Sequence, residues 1–86
     1  MLSPQVGESE APRLRQEIEN RIQRTEGLLF RVDQQRLSKE QRDTLATVQS
    51  FVTNAKEALA AQDFPRAGTL ASKAELLAQD LVKVRP

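Results

Sequence analysis

The stretch Ala58-Leu59-Ala60-Ala61-Gln62-Asp63-Phe64-Pro65-Arg66-Ala67 decides how this chain folds. Small and apolar residues recur at helical spacing before it and after it, and inside it the pattern stops. Asp63 can accept a hydrogen bond from a free amide at the start of a new helix. Pro65 suits that helix's first turn, where its missing N–H leaves no partner unsatisfied. The reading is therefore a helix that ends near Ala61, a tight turn, and a helix that begins at Phe64. Helices joined this closely lie antiparallel.

Upstream of the turn, Leu45, Val48, Val52, Ala55 and Leu59 alternate at spacings of three and four, the signature of one apolar stripe. Phe51 and Ala58 widen the stripe, as expected of a helix that touches two neighbours. Ser38 with Gln41 three residues later is a capping-box pattern, which places this helix at 39–61. Downstream, Ala67, Leu70, Ala71, Ala74, Leu77, Ala78 and Leu81 share one side of a helix at 64–84. Lys83 and Arg85 fall where the carbonyl end of the helix dipole favours positive charge. The facing alanines allow the two backbones to approach closely.

Further upstream, Leu14, Ile18, Ile22, Leu29 and Val32 define another stripe, so a first helix is expected over about 10–35. Ser9 is its expected N-cap, and Pro12 falls early enough to be tolerated. Arg13–Glu17, Arg15–Glu19 and Glu17–Arg21 are opposite charges four apart, each contributing ~0.3 kcal/mol on an exposed face. Gly27 is the weak point, costing up to about 1 kcal/mol against alanine. Its expected compensation is close approach of a neighbouring helix. The larger Ile, Leu and Val of this helix would fill the groove left by the other two.

The expected fold is all-α, an antiparallel up-down-up three-helix bundle with helices at about 10–35, 39–61 and 64–84. Residues 10–86 form its single domain. Residues 1–9, with Pro4 and Gly7, read as a flexible tail or linker.

Composition narrows the function. The 86 residues contain no cysteine and no histidine, so disulfides and the common soft-metal ligands are excluded. The 13 basic and 12 acidic residues nearly cancel, to a net +1, which suits neither a strongly basic nucleic-acid binder nor an acidic solvating tail. No apolar run approaches the roughly 20 residues of a membrane span. The segment from Met1 to Gly7 lacks a basic region followed by an apolar stretch, so it is not a secretory signal as it stands. Whether the protein is envelope-associated or cytoplasmic then depends on whether a leader precedes it.

Chemistry is hard to find. A hydrolytic serine or threonine would lack its histidine base, and the three glycines are too scattered for a phosphate loop. Glu17 and Glu40 could be imagined as an acid–base pair, but nothing desolvates them or brings them together. No catalytic, cofactor or metal residues are assigned, and the chain is expected to be non-enzymatic.

Two binding features remain. Arg21, Arg24 and Arg31 lie along one stripe of the first helix and could meet phosphates or an acidic partner. Glu17 and Glu26 interrupt their field and no aromatics are placed for base stacking, so nucleic acid is disfavoured. The second feature is the triplet Leu28-Leu29-Phe30. A helix cannot direct three successive residues into one seam, so Leu28 or Phe30 must lie at the edge of the core stripe or outside it. Leu37, seven residues after Phe30, would extend that side. Leu28, Phe30 and Leu37 either cap the open end of the bundle or form an exposed patch for a protein partner or a second copy. A monomer or weak homo-oligomer is expected.

From Phe51 to Ala74 the chain resembles a tetratricopeptide-type helical hairpin. The matching residues are Phe51, Ala55 and Ala58 in the first helix, Phe64 after the turn, and Ala67 and Ala74 in the second. It departs at Asn54, where leucine is usual, at Gln62, where glycine is usual, and at Gln79, where proline is usual. One unit is present where a solenoid needs about three, so the resemblance does not imply a peptide-binding groove. The stretch from Leu37 through Ala78 is also similar to C-terminal helical domains of uncharacterised bacterial proteins, in which a leader and a Pro-rich linker commonly precede the helices. That similarity implies a structural or scaffolding role at the cell envelope, with no catalytic residues.

Overall fold

A computed structural model of the chain describes residues 10–83. They form three α-helices, α1 (Ala11–Phe30), α2 (Lys39–Ala60) and α3 (Phe64–Lys83), with one short 3-10 turn at Gln34–Arg36. No strand occurs among the described residues. The helices are 20, 22 and 20 residues long, about 30–33 Å each at 1.5 Å per residue. This is an all-α three-helix bundle. Side-chain contacts fix the directions, since Arg21 meets Ser72 and Arg24 meets Glu75. Sequence number therefore rises together in α1 and α3, and α2 runs between them in the opposite sense.

The α2–α3 hairpin is the tight half. Ala55, Ala67, Ala71, Ala74 and Ala78 are wholly buried, and so is Val48. Leu45, Val52, Leu59 and Leu81 fill the seam around them. With alanine at so many facing positions the two backbones come close. The Ser38 hydroxyl accepts from the Gln41 amide at 3.1 Å, and the Gln41 side chain accepts from the Ser38 amide at 2.8 Å, completing the capping box of α2. At the other end, the Asp63 amide donates to the Ala58 carbonyl at 2.8 Å and the Gln62 amide to the Leu59 carbonyl at 3.0 Å. That pair of bonds is a Schellman motif, which requires a left-handed residue between them. Gln62 takes that place with φ of +62°. The Asp63 carboxylate accepts from the Arg66 amide at 3.3 Å, so Asp63 caps α3 as expected.

α1 departs from its expected outline. It stops at Phe30, five residues short of Gln35. The cause is Asp33, whose carboxylate accepts from the Gln35 amide at 3.1 Å. A local side-chain acceptor of this kind offers the backbone an alternative to the next helical turn. The chain becomes extended at Asp33, makes the 3-10 turn, and is extended again at Leu37. At its start α1 has Glu10 as N-cap with no side-chain bond, while Pro12 lies in the first turn. Ser9 and Arg85, read as a cap and as a dipole partner, lie outside the described residues.

α1 also sits differently from the expected groove-filling position. It packs closely on α3 and stands off from α2. The small residues of α3 explain this: Gly68 admits Ile18, whose Cδ1 would lie 4.0 Å from a Cβ added there. Gly27 was expected to admit a neighbouring helix and does not. It is exposed, and a Cβ added there would have nothing within 4 Å. The gap in the stripe between Ile22 and Leu29 is filled by Thr25, which is fully buried. Its hydroxyl donates to the Arg21 carbonyl at 2.9 Å, so the burial leaves no polar atom unpaired.

Candidate functional site

The three residues proposed as one apolar patch are held in three different environments. Leu37 is buried at 8% exposure and belongs to the core, entering it where the chain leaves the 3-10 turn in extended conformation at Leu37 and Ser38. Leu28 is half-buried and packs against the core from α1. Phe30 is 90% exposed. Two residues along a helix are about 200° apart around its axis, so Leu28 facing inward puts Phe30 outside. The patch thus reduces to a single aromatic ring at the C-terminal end of α1. A second exposed apolar side chain, Leu76 at 63%, lies on α3 and was not anticipated. It projects from the helix that carries the alanine stripe, where the run Glu75-Leu76-Leu77 again forces one leucine off the seam.

The arginines are also divided. Arg21 Nη1 lies 3.4 Å from one Glu75 carboxylate oxygen and donates to the Ser72 hydroxyl at 3.1 Å. Arg24 Nε donates to the other Glu75 oxygen at 3.0 Å. Glu75 is buried at 9% exposure, and the guanidiniums satisfy both of its oxygens. Arg31 is the C-terminal cap residue of α1 and is exposed, with no ion pair among the described residues. Two of the three candidate anion ligands are therefore engaged by a carboxylate of their own chain, and an incoming anion would have to displace it. None of the three i,i+4 pairs expected along α1 forms, and two of their arginines, Arg15 and Arg21, turn to other helices instead. Arg15 reaches the Leu59 carbonyl at 3.4 Å and lies 5.7 Å from the centre of the Phe64 ring. Glu26 accepts from Lys56 at 2.7 Å.

Glu75 is the functional-looking residue that the sequence reading passed over. Its signal was present, because Glu75 falls one residue after Ala74 and four after Ala71, at the border of the alanine stripe. A carboxylate at such a border needs cations on the neighbouring helix, and Arg21 and Arg24 supply them.

Two grooves border α1. The one shared with α2 has a volume of about 430 Å³ and is lined by Arg15, Glu19, Ile22, Glu26, Lys56 and Leu59. The one shared with α3 has a volume of about 540 Å³ and includes Leu14, Ile18, Phe64, Gly68, Ser72 and Leu76. Both mix apolar floors with charged rims. Among the described residues no group of three or more Asp, Glu, His or Cys is placed to hold a metal ion. No buried side-chain nitrogen or oxygen lacks a hydrogen-bond partner there. No described helix is long and apolar enough to cross a membrane.

Fold and surface together define a small three-helix bundle in which Arg15, Arg21, Arg24, Glu26, Lys56 and Glu75 hold the helices to one another. No protein-family model matches the chain, and no curated protein and no solved structure matches it either.

Proposed function

We propose that this chain is a non-enzymatic helical module that acts by packing against another protein, as a domain of a longer bacterial protein. The observation that carries the reading is Phe30, 90% exposed on a helix whose other large apolar residues are at least half-buried. Burying a phenylalanine side chain contributes about 1.5–3 kcal/mol, enough for one ring to anchor a contact when the surrounding surface excludes water. Leu76 supplies a second, separate anchor. The charged rims of the grooves beside α1 would orient a partner more than they would hold it.

The test is site-specific photo-crosslinking in the native host cells, with a photoreactive phenylalanine analogue at position 30 and a control at the exposed Gln49. A discrete adduct from position 30 alone, lost on competition with the unmodified chain, is the expected result. Identical adducts from both positions, or none from position 30, would sink the reading. Phe30→Ala should abolish capture of that protein while leaving the far-UV circular dichroism unchanged. Anion binding through Arg21, Arg24 and Arg31 is the weaker reading, because Glu75 competes for two of the three.

A further inference from the structure

We infer that α1 is a strap, able to open as a unit from an α2–α3 hairpin that stays folded, with the Glu75 ion pairs as its fastening. This does not depend on what Phe30 binds.

The unequal burial is the first ground. α1 buries only Ile18, Ile22 and Thr25, whereas α2 buries six residues and α3 another six. Thr25 adds no bond between helices, because its hydroxyl stays within α1. The second ground is the set of attachments. α1 packs mainly on α3, and toward α2 it has the solvent-exposed Glu26–Lys56 ion pair and the long Arg15 bond to the Leu59 carbonyl, so release of the α3 face leaves little to hold it. That face is fastened by Arg21 and Arg24 to Glu75, with the guanidinium side chains 42% and 55% exposed and the carboxylate side chain 12%. The third ground is the hinge. Residues 31–38 join α1 to α2 through one 3-10 turn, and Leu37 is the one buried residue among them. The last ground is what becomes of α1 once released. Most of a helix's stability in a protein comes from packing of its apolar face, and Gly27 weakens α1 further, so the open strap frays and its amides become exchangeable. Opening uncovers the face of α3 that carries Gly68, Ser72 and Glu75, a seat shaped for an amphipathic helix with two cations three residues apart.

Native-state hydrogen exchange on the whole chain tests this. Amides at Ile18–Thr25 should exchange at least about tenfold faster than those at Val48–Ala55 and Ala71–Ala78, as expected of separate cooperative units. Equal protection in all three helices would overturn the proposal.

Two variants sharpen the test. Gln62→Gly relieves the left-handed residue in the hairpin turn, which is intact whether the strap is open or closed. It should slow the hairpin amides about three- to tenfold and leave the α1 amides unchanged. Slowing of all three helices alike would mean one cooperative unit and no strap. Should Gln62→Gly move no amide, Leu77→Ala takes its place, since Leu77 lies about 200° around α3 from Glu75. It should speed the hairpin amides and spare α1, and equal acceleration of α1 would overturn the proposal. Glu75→Gln breaks the fastening and should speed the α1 amides about fivefold. Unchanged α1 exchange in that variant would remove Glu75 from the role.

Discussion

The turn between α2 and α3 and the segment between α1 and α2 both reverse the chain, and they do it with different chemistry. The first uses three residues, two backbone bonds of a Schellman motif and the Asp63 cap, and the helices it joins meet through alanines. The second uses eight residues, a side-chain acceptor at Asp33 and a buried anchor at Leu37, and the helices it joins stand apart. A short turn enforces intimate packing between its helices. A longer one leaves α1 free to choose its partner, and it chooses α3, where Gly68, Ser72 and Ala71 leave room. The difference separates a rigid hairpin from an attached third helix.

The comparison can be broken most severely at Ala74. It is wholly buried in the alanine seam, so Ala74→Leu should wedge α2 from α3 and cost about 3 kcal/mol or prevent folding. A melting temperature within a few degrees of the parent would show that the seam is not close-packed. The opposite change is available at Gly68, where the nearest side-chain atom lies 4.0 Å from an added Cβ. Gly68→Ala should therefore fit, and stabilise by up to about 1 kcal/mol through helix propensity. Destabilisation in urea would mean that α1 lies closer to α3 than the Ile18 contact indicates.

Smaller effects sharpen the contrast. Gln62→Gly should raise stability by about 0.5–1 kcal/mol, because a non-glycine residue at φ of +62° bears a steric penalty. An unchanged urea midpoint would show that Gln62 is not strained. Gly27→Ala, with open space around the site, should add about 0.5–1 kcal/mol to α1 alone, visible as slower amide exchange between Arg21 and Leu28. The smallest effect belongs to Phe30→Ser, which should alter folding stability by less than about 0.5 kcal/mol. A larger loss would place the ring in the core and remove it as a docking anchor.

How much of this was legible in the sequence follows the same division. The spacing of Leu45 through Leu59 and of Ala67 through Leu81 places every buried residue of the hairpin except Glu75. Ser38, Gln41 and Asp63 place its caps, because capping chemistry is local. α1 is legible in its stripe but not in its end, because Val32 prolongs the apolar spacing beyond Phe30 while the bond from the Gln35 amide to Asp33 leaves no mark in that pattern. Thr25 was passed over because hydropathy treats a hydroxyl as a surface group, and only the back-bond to Arg21 makes its burial free of penalty. The stripe of Arg21 and Arg24 is visible in the sequence, but its carboxylate stands 54 and 51 residues away respectively, beyond any pattern within one helix. Helix geometry puts Leu28 or Phe30 off the core stripe without choosing between them, and the choice of Phe30 depends on how α1 is rotated against α3. Burial of Leu37 is not legible either, because it depends on where the chain re-enters the bundle.

The Glu75 cluster has one more consequence, for alignment. Leu14, Ile18 and Ile22 repeat every four residues, so these three contacts alone do not distinguish the native alignment of α1 on α3 from one slipped by a turn. Sliding one way would bring Glu17 and Asn20 to the places of Arg21 and Arg24, setting one carboxylate against another. Sliding the other way would bring Thr25 and Leu28, leaving a buried carboxylate with no cation. Glu75 penalises both misalignments, and with the buried place of Thr25 it tells α1 where along α3 to stop.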